Sequence, residues 1–537
     1  MKKWAPLAVL GLAQFLMVLD QAVMNVSITQ LVSDFDTSVS AIQGVITMYS
    51  LVMAMLMITG GKLGDILGRR RTFAIGMAVY GVGSALTAAS WSVATLALGW
   101  SVLEGVGAAL VLPALVALVA GNYRGRDRVT AFAVIGGVAG AGIAVGPIVG
   151  GWATTALSWR VVFIGEVVIV LVVLAAVGLI HDVAALTRPH LDWVGSVLTA
   201  LGLGMIVFGF LQAGTWGWLV PKNSPVEPLG FSLTPFMVVG GLCVLVLFKW
   251  WERRRVEHGD DPLFKLELLK IPTLRAGLES FGAQNLILMG VFFTIPLYLQ
   301  LVVGLDALET GIRMLPISIA MFLTSGCGGL LSKRWSVRSV VRAGLLVTLV
   351  AIVVLIGTID PQLDGFKFSA AMALLGVGMG LLASQLGNAV QSSVGDEDRS
   401  EAGGLQWTTT QLGSALGVAV IGSVVLTGLT GSFVDAVSAD PSIPADVRVE
   451  LVAAAGEGVD FVASSDVNDA LVAAGVDQVT ADVIVGSYED SQLLALKAGL
   501  LGGAFLAVFA LFATVNLPST LPEESAADDS SAEPVAS

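Results

Sequence analysis

The sequence predicts an all-α polytopic membrane protein, and three observations predict it. Hydrophobic residues fill 55% of the 537 positions and charged residues only 13%, whereas a soluble domain carries about 25% charged residues. Apolar runs recur along the whole chain, each near the roughly twenty residues that a helical crossing of a bilayer needs. Lysine and arginine gather in alternate connectors, as charges retained on one side of a membrane do.

In chain order the runs lie at 5–30, 41–61, 72–91, 93–120, 129–155, 160–180, 193–213 and 232–251. A basic connector follows, then runs at 273–303, 308–332, 339–358, 367–391, 403–428 and 493–517, which makes fourteen expected spans. The first lacks a small-residue cleavage site after a short core, so it reads as a span and not a removed leader. With the N-terminus cytoplasmic, 22 of the 28 basic residues fall inside, among them Arg69–Arg71, Arg124, Arg126, Arg128, Arg253–Arg255, Lys333, Arg334, Arg338 and Arg342. Both termini are then expected in the cytoplasm. Trp4, Trp91, Trp152, Trp159, Trp193, Trp250, Trp251 and Trp335 stand near span ends, where interfacial anchors belong. Trp100 is the exception, well inside the fourth run.

Net charge is −13, but its placement argues against a nucleic-acid partner. Residues 432–492 carry twelve acids and one base, Arg448, and the tail adds Glu523, Glu524, Asp528, Asp529 and Glu533. The segment 429–492 reads as a small acidic cap outside the membrane, and 518–537 as a disordered cytoplasmic tail. Cys243 and Cys327 sit in apolar runs and read as small packing residues, and the three histidines fall in polar connectors, so neither a disulfide framework nor a metal site is expected. No nucleotide-binding loop, histidine pair or nucleophile constellation stands in the chain, which leaves no basis for an enzyme or an ATP-driven pump.

Several motifs carry more information. Gly61-Lys62-Leu63-Gly64-Asp65-Ile66-Leu67-Gly68-Arg69-Arg70-Arg71 joins the second and third runs, and its glycines permit a tight turn. Gly142, Gly146, Pro147, Gly150 and Gly151 space the fifth run for close helix approach, with a kink at the proline. Leu19-Asp20-Gln21-Ala22-Val23-Met24-Asn25-Val26 lies in the first run. Pro296-Leu297-Tyr298-Leu299-Gln300, Gly304, Gly311, Leu315-Pro316 and Glu401-Ala402-Gly403-Gly404-Leu405-Gln406 follow. Together these resemble the signature elements of the major facilitator superfamily, in its fourteen-span drug:proton antiporter branch.

The resemblance implies two six-helix bundles, within 1–185 and 272–517, with two inserted helices and a basic connector at 186–271. It implies a proton-driven exporter of amphipathic, often cationic, compounds, working as a monomer with no cofactor beyond the proton gradient. The expected partners are small molecules, protons and the lipid bilayer. Export of an endogenous lipid or metabolite on the same scaffold is the alternative. A faint internal repeat, Gly328-Gly329, Leu331, Lys333 and Arg338 against Gly60-Gly61, Leu63, Asp65 and Arg70, fits parallel halves.

The chain departs from the family where the family places an arginine and a glutamine on the fourth helix. Here Ser101 and Glu104 stand there, and Glu166 replaces an amide in the sixth. A charged group at the bilayer centre costs about 2.5–3.5 kcal/mol on insertion scales, so each acid needs a reason. Asp20 and Glu104 both lie about 13–17 Å below the outer ends of their helices, counting roughly 1.5 Å per residue. They are expected to share a polar cavity, neutral when occluded and charged when they attract a cation. Glu166, nearer the outer surface on a helix expected to be peripheral, is a weaker candidate. Asn25, Trp100 and Gln300 complete the candidate proton and substrate site. The Gly61, Asp65, Gly68, Arg69 and Arg70 loop is expected to latch the cytoplasmic side, and Glu309 with Arg313 to form a local pair at the outer gate.

Overall fold

The computed structural model describes residues 2–182, 190–331, 334–395, 398–456 and 459–519, and among these no strand occurs. The expected tail beyond 519 and Lys333 lie outside the described residues, as do the side chains of Arg126 and Arg128. The first half begins with α1 (Ala5–Val26), α2 (Ile28–Phe35) and α3 (Val39–Leu67). It continues through α4 (Arg69–Ala88), α5 (Val93–Asn122), α6 (Gly125–Ala156) and α7 (Arg160–Ala176). Two helices, α8 (Trp193–Trp216) and α9 (Leu233–Glu257), precede the second half. That half holds α10 (Pro272–Leu297), α11 (Ala307–Gly326), α12 (Val337–Ile356), α13 (Gly365–Ser392) and α14 (Arg399–Ala439). Two short helices, α15 (Ala445–Gly456) and α16 (Ser464–Ala473), lead to the last long one, α17 (Gln478–Ala513).

Thirteen of these helices are long and apolar enough to cross a membrane. The expected count of fourteen is therefore not reached on length and composition. The helix that falls short is α4, a 20-residue helix that opens on three arginines and is rich in small residues. The expected first span is also shorter: α1 stops at Ser27, whose hydroxyl bonds back to the Val23 carbonyl at 3.0 Å, and α2 leaves as a separate helix.

Glycine sets how closely the helices approach. A Cβ at Gly60 would overlap the Ala109 carbonyl, and one at Gly107 would stand 2.7 Å from the Tyr80 amide, so α3, α4 and α5 touch backbone to backbone. Such contacts gain dispersion and weak polar attraction where lipid provides no hydrophobic drive. Of the inserted pair, α8 lies against α3 and α14, with Thr59 donating to Ser196 at 3.0 Å and Ser423 to the Phe210 carbonyl at 2.9 Å, and α9 packs on α8.

The acidic segment 429–492, expected as a small cap, is continuous with the long helices of the second half. Its first residues continue α14 to Ala439 and its last continue α17 back to Gln478. The connection is pinned to these extensions: Tyr488 donates to the Asp460 carbonyl at 2.7 Å, and Gln492 to the Val462 carbonyl at 2.7 Å. Two tryptophans also depart from the anchor role. Trp159 is fully buried, and Trp251 donates its indole N–H to Asp192 at 2.9 Å. Cys243 and Cys327 are free thiols on exposed positions and not packing residues.

Candidate functional site

Three carboxyls from three helices meet inside the first bundle. Asp20 of α1, Glu104 of α5 and Glu166 of α7 each place an oxygen within 4.8 Å of the other two, and all three are buried. Asp20 and Glu104, expected to share a polar cavity, lie side by side but fully buried. The peripheral placement expected for Glu166 is corrected: α7 packs on α4, and Ser84 of α4 donates to Glu166 at 3.1 Å.

The local chain explains the convergence. Residues 97–104 form a π-helical stretch within α5, which turns Trp100 and Glu104 toward the bundle centre; such insertions frequently mark functional sites. Gly83 and Gly99 bring α4 and this stretch together, since a Cβ on Gly83 would stand 2.6 Å from Glu104 Cγ. Trp100 donates its indole N–H to Asp20 at 2.8 Å and stacks on Tyr49 at 4.5 Å between ring centres. Thr87 donates to Glu104 at 3.0 Å. The Tyr49 and Tyr80 hydroxyls lie beside the carboxyls without a well-formed hydrogen bond of their own.

Each acid retains one buried oxygen with no hydrogen-bond partner: Asp20 Oδ2, Glu104 Oε2 and Glu166 Oε1. Among the described residues no Lys, Arg or His acts on any of the three. Three negative charges this close in a low dielectric repel too strongly to coexist, so the cluster must hold protons or a cation. The three carboxyls offer up to six oxygens, the number a hard cation calls for, and the hydroxyls around them can equally bond protonated acids.

Other expected residues stand elsewhere. Ser101, at the family's arginine position, donates to the Val45 carbonyl at 2.8 Å. Asn25 donates back to the Gln21 carbonyl at 2.7 Å and lies buried in α1. Gln300 is not part of the acid cluster; it donates to the Val26 carbonyl at 3.1 Å and accepts from Thr29, tying the second half to the first. The glycines of α6 split their work. Gly142, Gly146 and Gly150 face Val18, Ala22 and Val23 of α1, while a Cβ at Gly151 would overlap the Ala307 carbonyl. Reciprocally, Gly311 faces the Pro147 carbonyl. The two halves thus close on each other at the end away from the arginine-rich loop, where Leu308 N–H also donates to Thr155 at 3.2 Å.

In that loop Asp65 pairs with Arg69 at 3.1 Å, Gly68 adopts φ +97°, and Arg70 donates to the Ile180 carbonyl at 3.3 Å. The expected Glu309–Arg313 pair is absent among the described residues. Glu309 instead closes a capping box with Asp306, accepting from its backbone N–H at 3.3 Å.

Reading the sequence alone missed Tyr49, Tyr80, Ser84 and Thr87. A signal existed: Tyr80, Ser84 and Thr87 follow i, i+4, i+7 spacing and so share one face of α4.

A polytopic helical bundle, split into two halves with unpaired carboxyls at the centre of one, defines a membrane transporter. Residues 10–418 match the family model described as Major Facilitator Superfamily, and the chain belongs to that superfamily. Its members are transporters and not enzymes. The chain is 30% identical over 464 residues to the "Probable actinorhodin transporter" of Streptomyces coelicolor, covering 84% of this chain and 77% of that one. It is 30% identical to the "Puromycin resistance protein pur8" of Streptomyces alboniger, over 83% of this chain and 86% of that one. Among solved structures, a bacterial homologue of the human lysosomal transporter Spinster, inward-facing and unoccupied, superposes with a TM-score of 0.61. It has 14% identity and covers 96% of this chain and 98% of that one, a likeness of fold.

Proposed function

We propose that this chain is a proton-coupled exporter of amphipathic, cationic small molecules, with Asp20, Glu104 and Glu166 as its proton-carrying group. The observation that carries the reading is the unpaired three-carboxyl cluster, since buried acids without a base need a proton whenever the site is closed. The names of the relatives, an antibiotic transporter and an antibiotic resistance protein, support an antibiotic-like cargo.

In this reading the halves rock about the cluster. Contacts of α6 with α11, through Gly151, Gly311 and Pro147, form the closed outer gate. The Asp65–Arg69 loop organises the inner side, with both termini cytoplasmic, in a bacterial plasma membrane. Protons arriving from outside neutralise the acids, and their departure toward the cytoplasm leaves charge that attracts a cation. Trp100 holds Asp20 in place and offers an aromatic face.

The test is substrate-evoked proton movement in proteoliposomes, with cationic dyes as probes, comparing the parent with Asp20→Asn and Glu104→Gln. Dye-evoked proton release in the parent that either amide abolishes is the expected result. Normal exchange in both variants would show that coupling lies elsewhere, and silence of the parent with every cation would remove the cationic-cargo reading.

A further inference from the structure

A cavity lies on the flank of the first bundle, between α3 and the inserted α8. It encloses about 720 Å³, within the roughly 300–1,000 Å³ of small-molecule sites. None of its lining residues is charged. Met48, Met55, Met205 and Met237 contribute to the wall, and methionine adapts its shape to varied apolar guests. Its mouth faces outward from the bundle: Met48, Val197, Leu201 and Phe208 line it and are all exposed on the protein surface that lipid covers.

Polar groups are few and gathered toward one end. Ser40 stands in the first turn of α3 and Gln212 in the last turns of α8. Between them and the apolar floor lies Thr47, only 1% exposed, whose hydroxyl has no hydrogen-bond partner. A buried hydroxyl left unpaired is costly, so a bound group that bonds it is favoured there. A charged ligand would be stripped of water with nothing to pair it.

We propose that this cleft binds an uncharged, lipid-soluble amphiphile drawn from the bilayer, its apolar body between Met55 and Leu201 and its one hydrogen-bonding group at Thr47. The cleft is distinct from the acid cluster but shares a wall with it. Val45 and Val52 of α3 line the cleft, while Tyr49 between them turns the other way and stacks on Trp100. Ala97, which opens the π-helical stretch bearing Glu104, also lines it.

The experiment uses the full chain in nanodiscs of phosphatidylethanolamine and phosphatidylglycerol, with no proton gradient, so that its outcome is independent of coupling. A diazirine-bearing dodecanol and a diazirine-bearing phosphatidylcholine are photolysed in parallel, and labelled peptides are mapped by mass spectrometry. The dodecanol probe is expected to label residues 44–55 and 197–208 about fivefold more than the lipid-facing α7, an excess of roughly 1 kcal/mol. The phosphatidylcholine probe is expected to show no such excess. Gly204→Phe places a ring where a Cβ meets only the Met55 terminus at 3.8 Å; it is expected to remove the dodecanol excess while α7 labelling stays constant. Thr47→Val, which keeps the shape and removes the hydroxyl, is expected to reduce it in a protein whose folding is not in question. Equal labelling by both probes, or a dodecanol excess untouched by both substitutions, overturns the proposal and leaves an ordinary lipid groove.

Discussion

Two buried acid clusters in this molecule look alike by residue type and differ in what surrounds them. At the inner ends of α8 and α9, Asp192 caps α8 by accepting from the Gly195 N–H at 3.0 Å and from the Trp251 indole at 2.9 Å. Arg255 approaches it at 3.6 Å, and neighbouring Glu252 accepts from the Leu263 N–H at 2.9 Å. A backbone N–H, an indole and a guanidinium gather on Asp192, while Glu252 keeps one buried oxygen without a partner, as each acid of the central cluster does; the pair fastens the connector before α10 to the inserted helices. At the centre of the first bundle, Asp20, Glu104 and Glu166 have one side-chain donor each and, among the described residues, no cation beside them. What separates the two clusters is the Arg255 guanidinium beside Asp192, which has no counterpart at the central acids among the described residues. The difference lies in the surroundings and not in burial, since Asp20, Glu104 and Glu252 are all fully inaccessible.

The largest effect that tests this contrast is loss of function without loss of fold. Asp20→Asn keeps an acceptor for the Trp100 indole but removes the titrating group. Substrate-evoked proton movement is expected to fall by about two orders of magnitude, the lower range for removing a positioned proton carrier, with the melting temperature within a few degrees of the parent. Glu166→Gln is expected to weaken coupling as well, a result that would separate the three-acid site from a two-acid one. At the other cluster the pattern reverses. Glu252→Ala strands the Leu263 N–H and is expected to lower stability by about 1–3 kcal/mol, read as detergent-solubilised melting, while transport per folded molecule is retained. If Glu252→Ala abolished coupling in folded protein, the contrast would collapse.

Much of this was legible in the sequence. Apolar runs gave the long helices, and counting residues from the ends of α1 and α5 placed Asp20 and Glu104 at one depth. The rotation of side chains about the helices was not legible. The π-helical turn at 97–104 resets the facing of Trp100 and Glu104, and no local residue type announces it. Glu166 was misjudged because span order says nothing about how closely α7 leans on α4, which Gly81 permits by receiving Val170. The acidic stretch misled for another reason. Charge lowers hydropathy, but it does not end a helix, so α14 and α17 run on past the apolar residues.

A steric prediction of smaller effect concerns the closed outer end. Gly311→Ala sets a methyl into the Pro147 carbonyl and forces α6 and α11 apart. Its expected outcome is a drop in cross-linking between cysteines placed at Thr155 and Leu308, with transport slowed about tenfold, roughly 1.4 kcal/mol. Unchanged cross-linking would mean that the halves do not close through this contact.

The smallest expected effect uses a third acid, exposed and paired, which sharpens the comparison from the other side. Asp34, in α2 and outside the spans, accepts from the Trp159 indole at 2.8 Å and from Arg160 at 3.0 Å. Partial burial pushes its carboxyl up, but hydrogen bonds from Gln30, Trp159 and Arg160 together hold it below the ordinary aspartate value. A carboxyl with a depressed pKa contributes stability above its unfolded value, and loses it as pH falls through the folded one. The contribution is therefore complete above about pH 4 and fades below it. Because the pair is solvent-exposed it is worth at most about 1 kcal/mol. Asp34→Asn is expected to lower the melting temperature slightly at pH 7, and the gap from the parent is expected to narrow steadily as pH is lowered below about 4. A gap that persisted there would assign the loss to packing around Trp159, so that an acid beside a base would owe its stabilising role to shape and not to charge.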